Sequence, residues 1–420
     1  MFKPFSEPRT PSESLWKHGD FLRLWSAQTI SVFGDQFTAL AIPLIAALML
    51  HATALQMGIL IAVEQAPLFF LSLFAGVWVD RLPRRTILIT CDLGRGVVLL
   101  AIPLAALMHT INMTVLYAVS SIVGVLSVFY YVSYQAFLPS LVGRTQLVDG
   151  NSKLEATRSL SDLAGPGLAG AVIQFISAPI AIALDALSFL ISGGITSLIR
   201  RDETHGSAQT RGPILSQVRE GLAFLLGNRF LRPIAGCSGT WNFFNTGVLT
   251  LYILFATRDL ALGPAKLGMI LSLGNICGLL GVLGAGRIGT RIGVGPAIVF
   301  SAIVSGFGGI LIVLATPRTA FPLLVSAGLL TNFIRPVYNI NQVSLRQAIT
   351  PHRLQGRMNA TMRFLILGAA PLGALMAGWL GGALGLRHAM TIMVAGTSLP
   401  FLWVVFSPVR GLHAIPEAQD

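Results

Sequence analysis

Charge is what this chain has least of. Only 11% of its 420 residues are charged, 54% are hydrophobic, and the mean hydropathy is +0.73. An ordinary soluble domain is about 25% charged. So few charges cannot cover a globule of this size, which excludes a soluble enzyme and points to repeated membrane passage. Cysteine is also scarce. Cys91, Cys237 and Cys277 fall within or at the edge of apolar runs, so they read as packing residues and imply no disulfide framework. The seven histidines, His18, His51, His109, His205, His352, His388 and His413, lie in expected loops or at span ends. No H-E-x-x-H or paired-His spacing exists, so no metal, haem or other cofactor is expected. There is no G-x-x-x-x-G-K-[ST] loop for ATP and no G-x-S-x-G elbow for acyl chemistry. Acids are nearly missing from the second half: between Glu220 and Glu417 only Asp259 occurs.

What the chain does have is long apolar runs. About 20 helical residues cross a hydrocarbon core of about 30 Å. Twelve such spans are expected, at 22–49, 55–79, 86–108, 113–137, 153–176, 179–199, 232–257, 265–285, 294–315, 320–345, 357–384 and 388–406. Uninterrupted apolarity without alternation predicts helices rather than a barrel. The polar stretch before the first run, and that run's length, do not read as a cleavable signal. The net charge of +12 resolves into a topology signal. Of the 29 basic residues, 22 fall in the tails, loops and span ends of one side, 4 in the loops and span ends of the other (Arg258, Lys266, Arg318, Arg387), and 3 deeper inside spans (Arg95, Arg335, Arg363). The positive-inside rule then places both termini in the cytoplasm, in the inner membrane of a cell. It accounts for the basic surplus without nucleic acid, for which no binding signature is present.

Residues 200–231 break the apolar pattern with a charged stretch and an amphipathic helix expected over 214–226. Six spans lie on each side. The expected layout is a tail (1–21), a first six-helix bundle (22–199), a cytoplasmic linker (200–231), a second bundle (232–406) and a tail (407–420). Tyr131 and Gln135 repeat as Tyr338 and Gln342. Arg158 and Pro166 repeat as Arg363 and Pro371, and Arg81 and Arg85 as Arg287 and Arg291. These offsets agree within two residues, which argues for duplicated bundles related by pseudo-symmetry, with a site between the halves at mid-membrane.

Between spans 2 and 3 the chain reads Gly76-Val77-Trp78-Val79-Asp80-Arg81-Leu82-Pro83-Arg84-Arg85. This G-x-x-x-D-R-x-x-R-R pattern resembles the cytoplasmic loop signature of the major facilitator superfamily. Asp80 at a helix end suits a charge lock with arginines and a facing helix N-terminus. Asp92 and Arg95, one or two turns into span 3, are expected to join the network of Gly76, Asp80, Arg81, Arg84 and Arg85. The second half has Gly286 where Asp80 would correspond. Span 5 carries Gly165-Pro166-Gly167-Leu168-Ala169-Gly170, which resembles the fifth-helix pattern of the superfamily's antiporters, with Ala169 replacing one glycine. Phe21 to Gln28, Gly34-Asp35, Asp185 to Phe189 and Gly356 to Ala360 are similar to enterobactin-exporter-like and macrolide-efflux-like permeases of the drug:proton antiporter type. The resemblance covers nearly the whole chain and implies an all-α membrane protein with twelve transmembrane helices in two six-helix bundles. It does not specify the cargo.

Ionisable groups at bilayer depth are expensive and usually face a cavity or a partner. Gln28, Ser31, Asp35 and Thr38 form one polar stripe, with Asp35 about 20 Å into the first span. Asp35 and, near mid-depth of span 2, Glu64 are the proton-coupling candidates; a carboxyl in a partly dry cavity suits reversible protonation. Both could equally be hydrogen-bonded structural acids. Asp162 is expected to pair with Arg158, and Asp185 to sit at the bundle periphery. Asn332, Arg335, Asn339, Gln342 and Arg346 form one stripe on span 10, facing either a cavity or a helix–helix seam. With Gln28, Tyr131, Asn242 and Asn245, they suit a large, partly apolar cargo, and Arg335 suits an anionic group. The expected function is export of a small hydrophobic, drug-like or siderophore-like molecule by alternating access with proton antiport, as a monomer in the lipid bilayer. A lipid flippase on the same fold and a non-transporting sensor or scaffold remain alternatives.

Overall fold

In the computed structural model, residues 15–79, 81–142, 146–200 and 214–413 are described. They are almost entirely helical. The first half contains α1 (Gly19–Leu44), α2 (Ala54–Val79), α3 (Arg84–Leu99), α4 (Ala101–Leu107), α5 (Met113–Leu141), α6 (Leu147–Phe175) and α7 (Ala178–Ser197). Next comes α8 (Ile214–Gly227). The second half contains α9 (Leu231–Leu254), α10 (Pro264–Ile292), α11 (Val294–Val313), α12 (Ala320–Ile349), α13 (His352–Leu384), α14 (Leu386–Thr397) and α15 (Phe401–Val405).

Among the described residues, ten stretches are long and apolar enough to cross a membrane. The expected spans 5 and 7 correspond to the long helices α6 and α9, which are not among these ten. Charge explains the first omission: α6 carries Asp149, Lys153, Glu155, Arg158 and Asp162. Two spans are interrupted for a local reason. Pro103 has no N–H for the carbonyl of Leu99, and α3 gives way to α4 at Leu100; Pro400 similarly separates α14 from α15. Helix starts follow capping chemistry. Asn112 and Ser177 accept from the N–H groups of Val115 and Ile180, and Thr53 and Gln56 form a reciprocal box at the start of α2.

The duplication expected from side-chain spacing appears in the backbone. The spans of α1 and α9 each end in a wide π turn, at Ile45–Met49 and Phe255–Asp259. Each turn is followed by a left-handed residue, His51 (φ 49°) and Ala261 (φ 52°). The closing bonds match as well: Ala52 N–H to Ala46 O and Leu262 N–H to Ala256 O. The bundles meet along two seams, α2 against α13 and α6 against α10. In the first, Gly58 lies against Gly378; in the second, Gly170 lies against Gly268. Each glycine has main chain where a Cβ would go, so no other residue permits this approach.

Packing differs between the two faces of the molecule. One continuous core joins both halves at the face opposite the chain ends, including Ala46, Met57, Ala169, Leu254, Phe255 and Leu267. At the face carrying the chain ends the cores are separate. One draws on Leu15, Phe21, Val79, Leu88, Phe137 and Ile199, the other on Leu225, Leu231, Ile298, Met358 and Val409. The linker helix α8 packs on α13, with an ion pair from Arg357 to Glu220.

Candidate functional site

The first bundle holds a cluster of buried charge. Asp92 and Arg95, one turn apart on α3, form an ion pair with almost no exposure. Ser192 of α7 donates to Asp92 Oδ2 at 2.7 Å. The Arg95 guanidinium is held between the rings of Tyr130 (4.3 Å) and Phe189 (4.0 Å). Tyr130 in turn donates to Gln28 Oε1 at 2.9 Å, which ties α5 to α1. This corrects the assignment of Asp92 and Arg95 to the loop network: both turn inward. A buried ion persists only where paired, and their partners lie in the bundle interior.

Of the loop residues, Asp80 lies outside the described residues, as does the Gly76 contact surface, while Arg81 is exposed. Arg84 donates to the carbonyl of Ala136 at 3.2 Å and Arg85 to that of Ser197, near the C-terminal ends of α5 and α7. Cations are favourable there because the last carbonyls of a helix carry partial negative charge.

Asp35 is exposed and lies within electrostatic reach of Arg95, Asp92 and Asp185. Asp185, expected at the periphery, is fully buried against α1. Ser188 donates to it at 3.0 Å, and the approach is possible because Gly34 has no side chain to meet it. Glu64 is exposed and makes no hydrogen bond or ion pair among the described residues.

Between the halves, Asp162 is a junction. Its carboxylate accepts from Gln36 Nε2 at 2.9 Å rather than pairing with Arg158. Its main-chain carbonyl accepts from Asn275 Nδ2 of α10 at 2.6 Å. Pro166 explains that bond. Residue 162 would normally receive the N–H of residue 166, and proline has none. The carbonyl freed inside α6 is satisfied from the other bundle. Asn332 of α12 donates to Asn275 Oδ1 at 2.9 Å and to Gly274 O at 3.1 Å, extending the chain into the second bundle. The Gly-Pro segment also offers the N–H of Gly167 to Ser272 Oγ at 2.8 Å. Gly165 faces Gln36, and Gly170 faces Gly268.

The second bundle contains two adjoining cavities of about 190 and 180 Å³. The first is lined by Asn242, Asn339 and Gln342, the second by Asn245 and Asn332; Trp241, Ser305, Thr331 and Arg335 line both. The stripe on α12 therefore divides. Asn332 also serves a helix–helix seam, whereas Arg335 and Asn339 are exposed and Gln342 is buried in the wall of the first cavity. Asn242 has a second task, donating to Ile366 O of α13 at 2.5 Å. Both cavities are lined wholly by second-half residues, so the polar lining expected between the halves reaches into one of them. Tyr131 is exposed, with Arg363 of the other bundle 5.8 Å over its ring. Sequence spacing missed Asn275 and Arg258. Arg258, at the end of the α9 span, reaches across to the carbonyls of Ala52 (2.8 Å) and Ala47 (3.4 Å).

A profile of the Major Facilitator Superfamily matches residues 24–370. The chain belongs to that superfamily. It is 27% identical over 399 residues to the multidrug efflux pump Tap of Mycolicibacterium fortuitum, covering 92% of this chain and 94% of that one. It is 21% identical over 413 residues to the enterobactin exporter EntS of Salmonella choleraesuis (strain SC-B67), covering 96% of each. Among solved structures, a bacterial homologue of the iron transporter ferroportin in an inward-facing state superposes with a TM-score of 0.72 at 17% identity, over 94% of this chain and 99% of that one. A bacterial homologue of the lysosomal transporter Spinster, inward-facing and occupied, gives 0.73 at 13%, over 93% and 97%. Membership of the superfamily makes this a multi-pass membrane transporter, and the solved structures show the same fold.

Proposed function

We propose that this protein exports small hydrophobic, drug-like or siderophore-like molecules across the cytoplasmic membrane, by alternating access coupled to proton entry. The observation that carries the reading is the one-sided packing of the bundles: a shared core at one face, separate cores at the other. Such a molecule is closed at the first face and able to part at the second. The glycine crossings supply two seams about which the bundles can rock, because main chains in contact slide with little side-chain interlock. The arginine excess assigns the parted face, with both chain ends, to the cytoplasm, so cargo enters from inside. Similarity to a multidrug efflux pump and an enterobactin exporter supports the outward direction.

In the proposed cycle, cargo occupies the space between the bundles and the cavity of the second one. The bundles rock, the loop arginines and Asp80 draw together at the cytoplasmic face, and the outer core parts. Protons arriving from outside bind Asp35 or Glu64 and favour the return. The protein acts as a monomer, without cofactor.

Inverted vesicles test this reading. Efflux of a drug-like dye is expected to stop when the proton gradient is collapsed, and to fall at least tenfold in Asp35→Asn or Glu64→Gln. Efflux that survives a collapsed gradient rules out antiport. Efflux unchanged in both variants rules out these two acids.

A further inference from the structure

We propose that the cavity within the second bundle is a subsite for the anionic, aromatic end of the cargo, held by Arg335 and Trp241; this rests on the export reading above. Arg335 stands at the middle of α12, and its guanidinium lies 5.4 Å from the centroid of the Trp241 ring. Among the described residues it makes no hydrogen bond and no ion pair. The charged groups within its electrostatic reach are Arg158 and Asp162 of the facing bundle, one of each sign, and the Asp162 carboxylate is already engaged by Gln36. Among the described residues, no acid lines either cavity. The one acid between Arg232 and Phe406 is Asp259, in the turn at the closed face. An exposed guanidinium with no hydrogen-bonding side chain or carbonyl among the described residues, lining a cavity at mid-depth, is a receptor for an anion.

The neighbouring groups narrow the ligand further. The indole face beneath the guanidinium suits a flat ring, which can stack while its anionic substituent reaches Arg335. Gln342 is 4% exposed and Ser301 1%, and among the described residues Gln342 Oε1 and Ser301 Oγ have no hydrogen-bond partner. Both line the first cavity. Buried acceptors left unmet favour a ligand that brings an N–H or O–H to them. The hydroxyls of Ser238 and Tyr338, 3.0 Å apart, complete a wall of hydrogen-bonding groups. The class indicated is an aromatic carboxylate, or another aromatic anion, with a hydrogen-bond donor on the ring.

The test uses the full chain in lipid nanodiscs, with empty nanodiscs as the blank. Three probes share one ring and differ in charge: 2-naphthoate, 2-naphthamide and 2-naphthylmethylammonium. Calorimetric titration is expected to give naphthoate the tightest binding, at least tenfold over the amide, with the ammonium weakest. Arg335→Gln should remove that order, Arg335→Lys should retain most of it, and Trp241→Ala should weaken all three probes by a similar factor. Equal affinities, a preference for the ammonium, no binding of any probe, or an order that survives Arg335→Gln overturns the subsite. Binding is read apart from transport. Charge-selective binding in vesicles that export nothing would sink the export reading alone, whereas export without charge selectivity would sink the subsite alone.

Discussion

The two seams between the bundles share a backbone plan and differ in chemistry. In each, a glycine of one bundle faces a glycine of the other: Gly58 against Gly378, and Gly170 against Gly268. Beyond the crossings they diverge. The α2–α13 seam continues as an apolar contact, with Phe69 filling the space over Gly368 and meeting the Phe364 ring at 4.6 Å. The α6–α10 seam continues as hydrogen bonds, from Asn275 to Asp162 and from Gly167 to Ser272. Apolar contact between helices is non-directional and tolerates sliding in a membrane. A hydrogen bond has a required geometry and fixes register. A pair of seams built this way suits a rocking motion in which one slides and the other sets the resting position.

The largest effect should come from destroying the common plan. A Cβ at Gly170 would collide with the Pro264 carbonyl and with Gly268 Cα. Gly170→Leu should prevent closure of the outer face at a cost of about 1–3 kcal/mol or more. The expected outcome is efflux reduced at least tenfold. A cysteine placed at Ala47 in a chain with its native cysteines replaced should also become reactive to an impermeant maleimide. Gly58→Leu should do the same at the other seam. If one variant is tolerated and the other is not, the crossings are not equivalent.

A smaller effect is expected at Arg258, which clasps the end of the apolar seam at the shared core through the carbonyls of Ala47 and Ala52. The side chain is exposed, so its bonds are worth about 1 kcal/mol. Arg258→Gln should raise the population open at the outer face about fivefold, read from the same maleimide reaction. An unchanged rate would mean that the shared core alone seals this face.

The plan of the molecule was legible because it rests on repetition. Span lengths and the two-half repeat are one-dimensional signals, and the backbone keeps the repeat in the matching turns after Leu44 and Leu254. Which polar residue meets which was not legible, because that depends on helix rotation and depth. The spacing of Asp162 after Arg158 suggests a helical ion pair, yet the carboxylate turns to Gln36 on α1. Asp92 and Arg95 sit close enough in sequence to the loop arginines to suggest one network, yet Ser192, Tyr130 and Phe189 draw them inward. The α12 stripe was visible as a stripe. Its division between a seam at Asn332 and a cavity at Arg335 required the neighbouring helices. Asn275 could have been found by asking which carbonyl Pro166 leaves without a partner and which polar side chain of the other half could reach it.

That question supplies the smallest and sharpest test. A hydrogen bond between membrane helices is worth about 0.6 kcal/mol on average, roughly a threefold shift in an equilibrium. Asn275→Leu should therefore shift the balance between inner-open and outer-open states by about threefold toward outer-open. The shift is expected because the polar seam reinforces the state in which α6 and α10 are joined. Pro166→Ala restores an N–H at the position that would serve the Asp162 carbonyl within α6. In that background the bond from Asn275 becomes redundant, and Asn275→Leu should shift the balance by much less. A double-mutant cycle on the maleimide rates measures the coupling directly. Additive effects would show that the proline and the asparagine act separately. A coupling close to the whole effect of Asn275→Leu would mean that the kink in one bundle creates the acceptor by which the other is held.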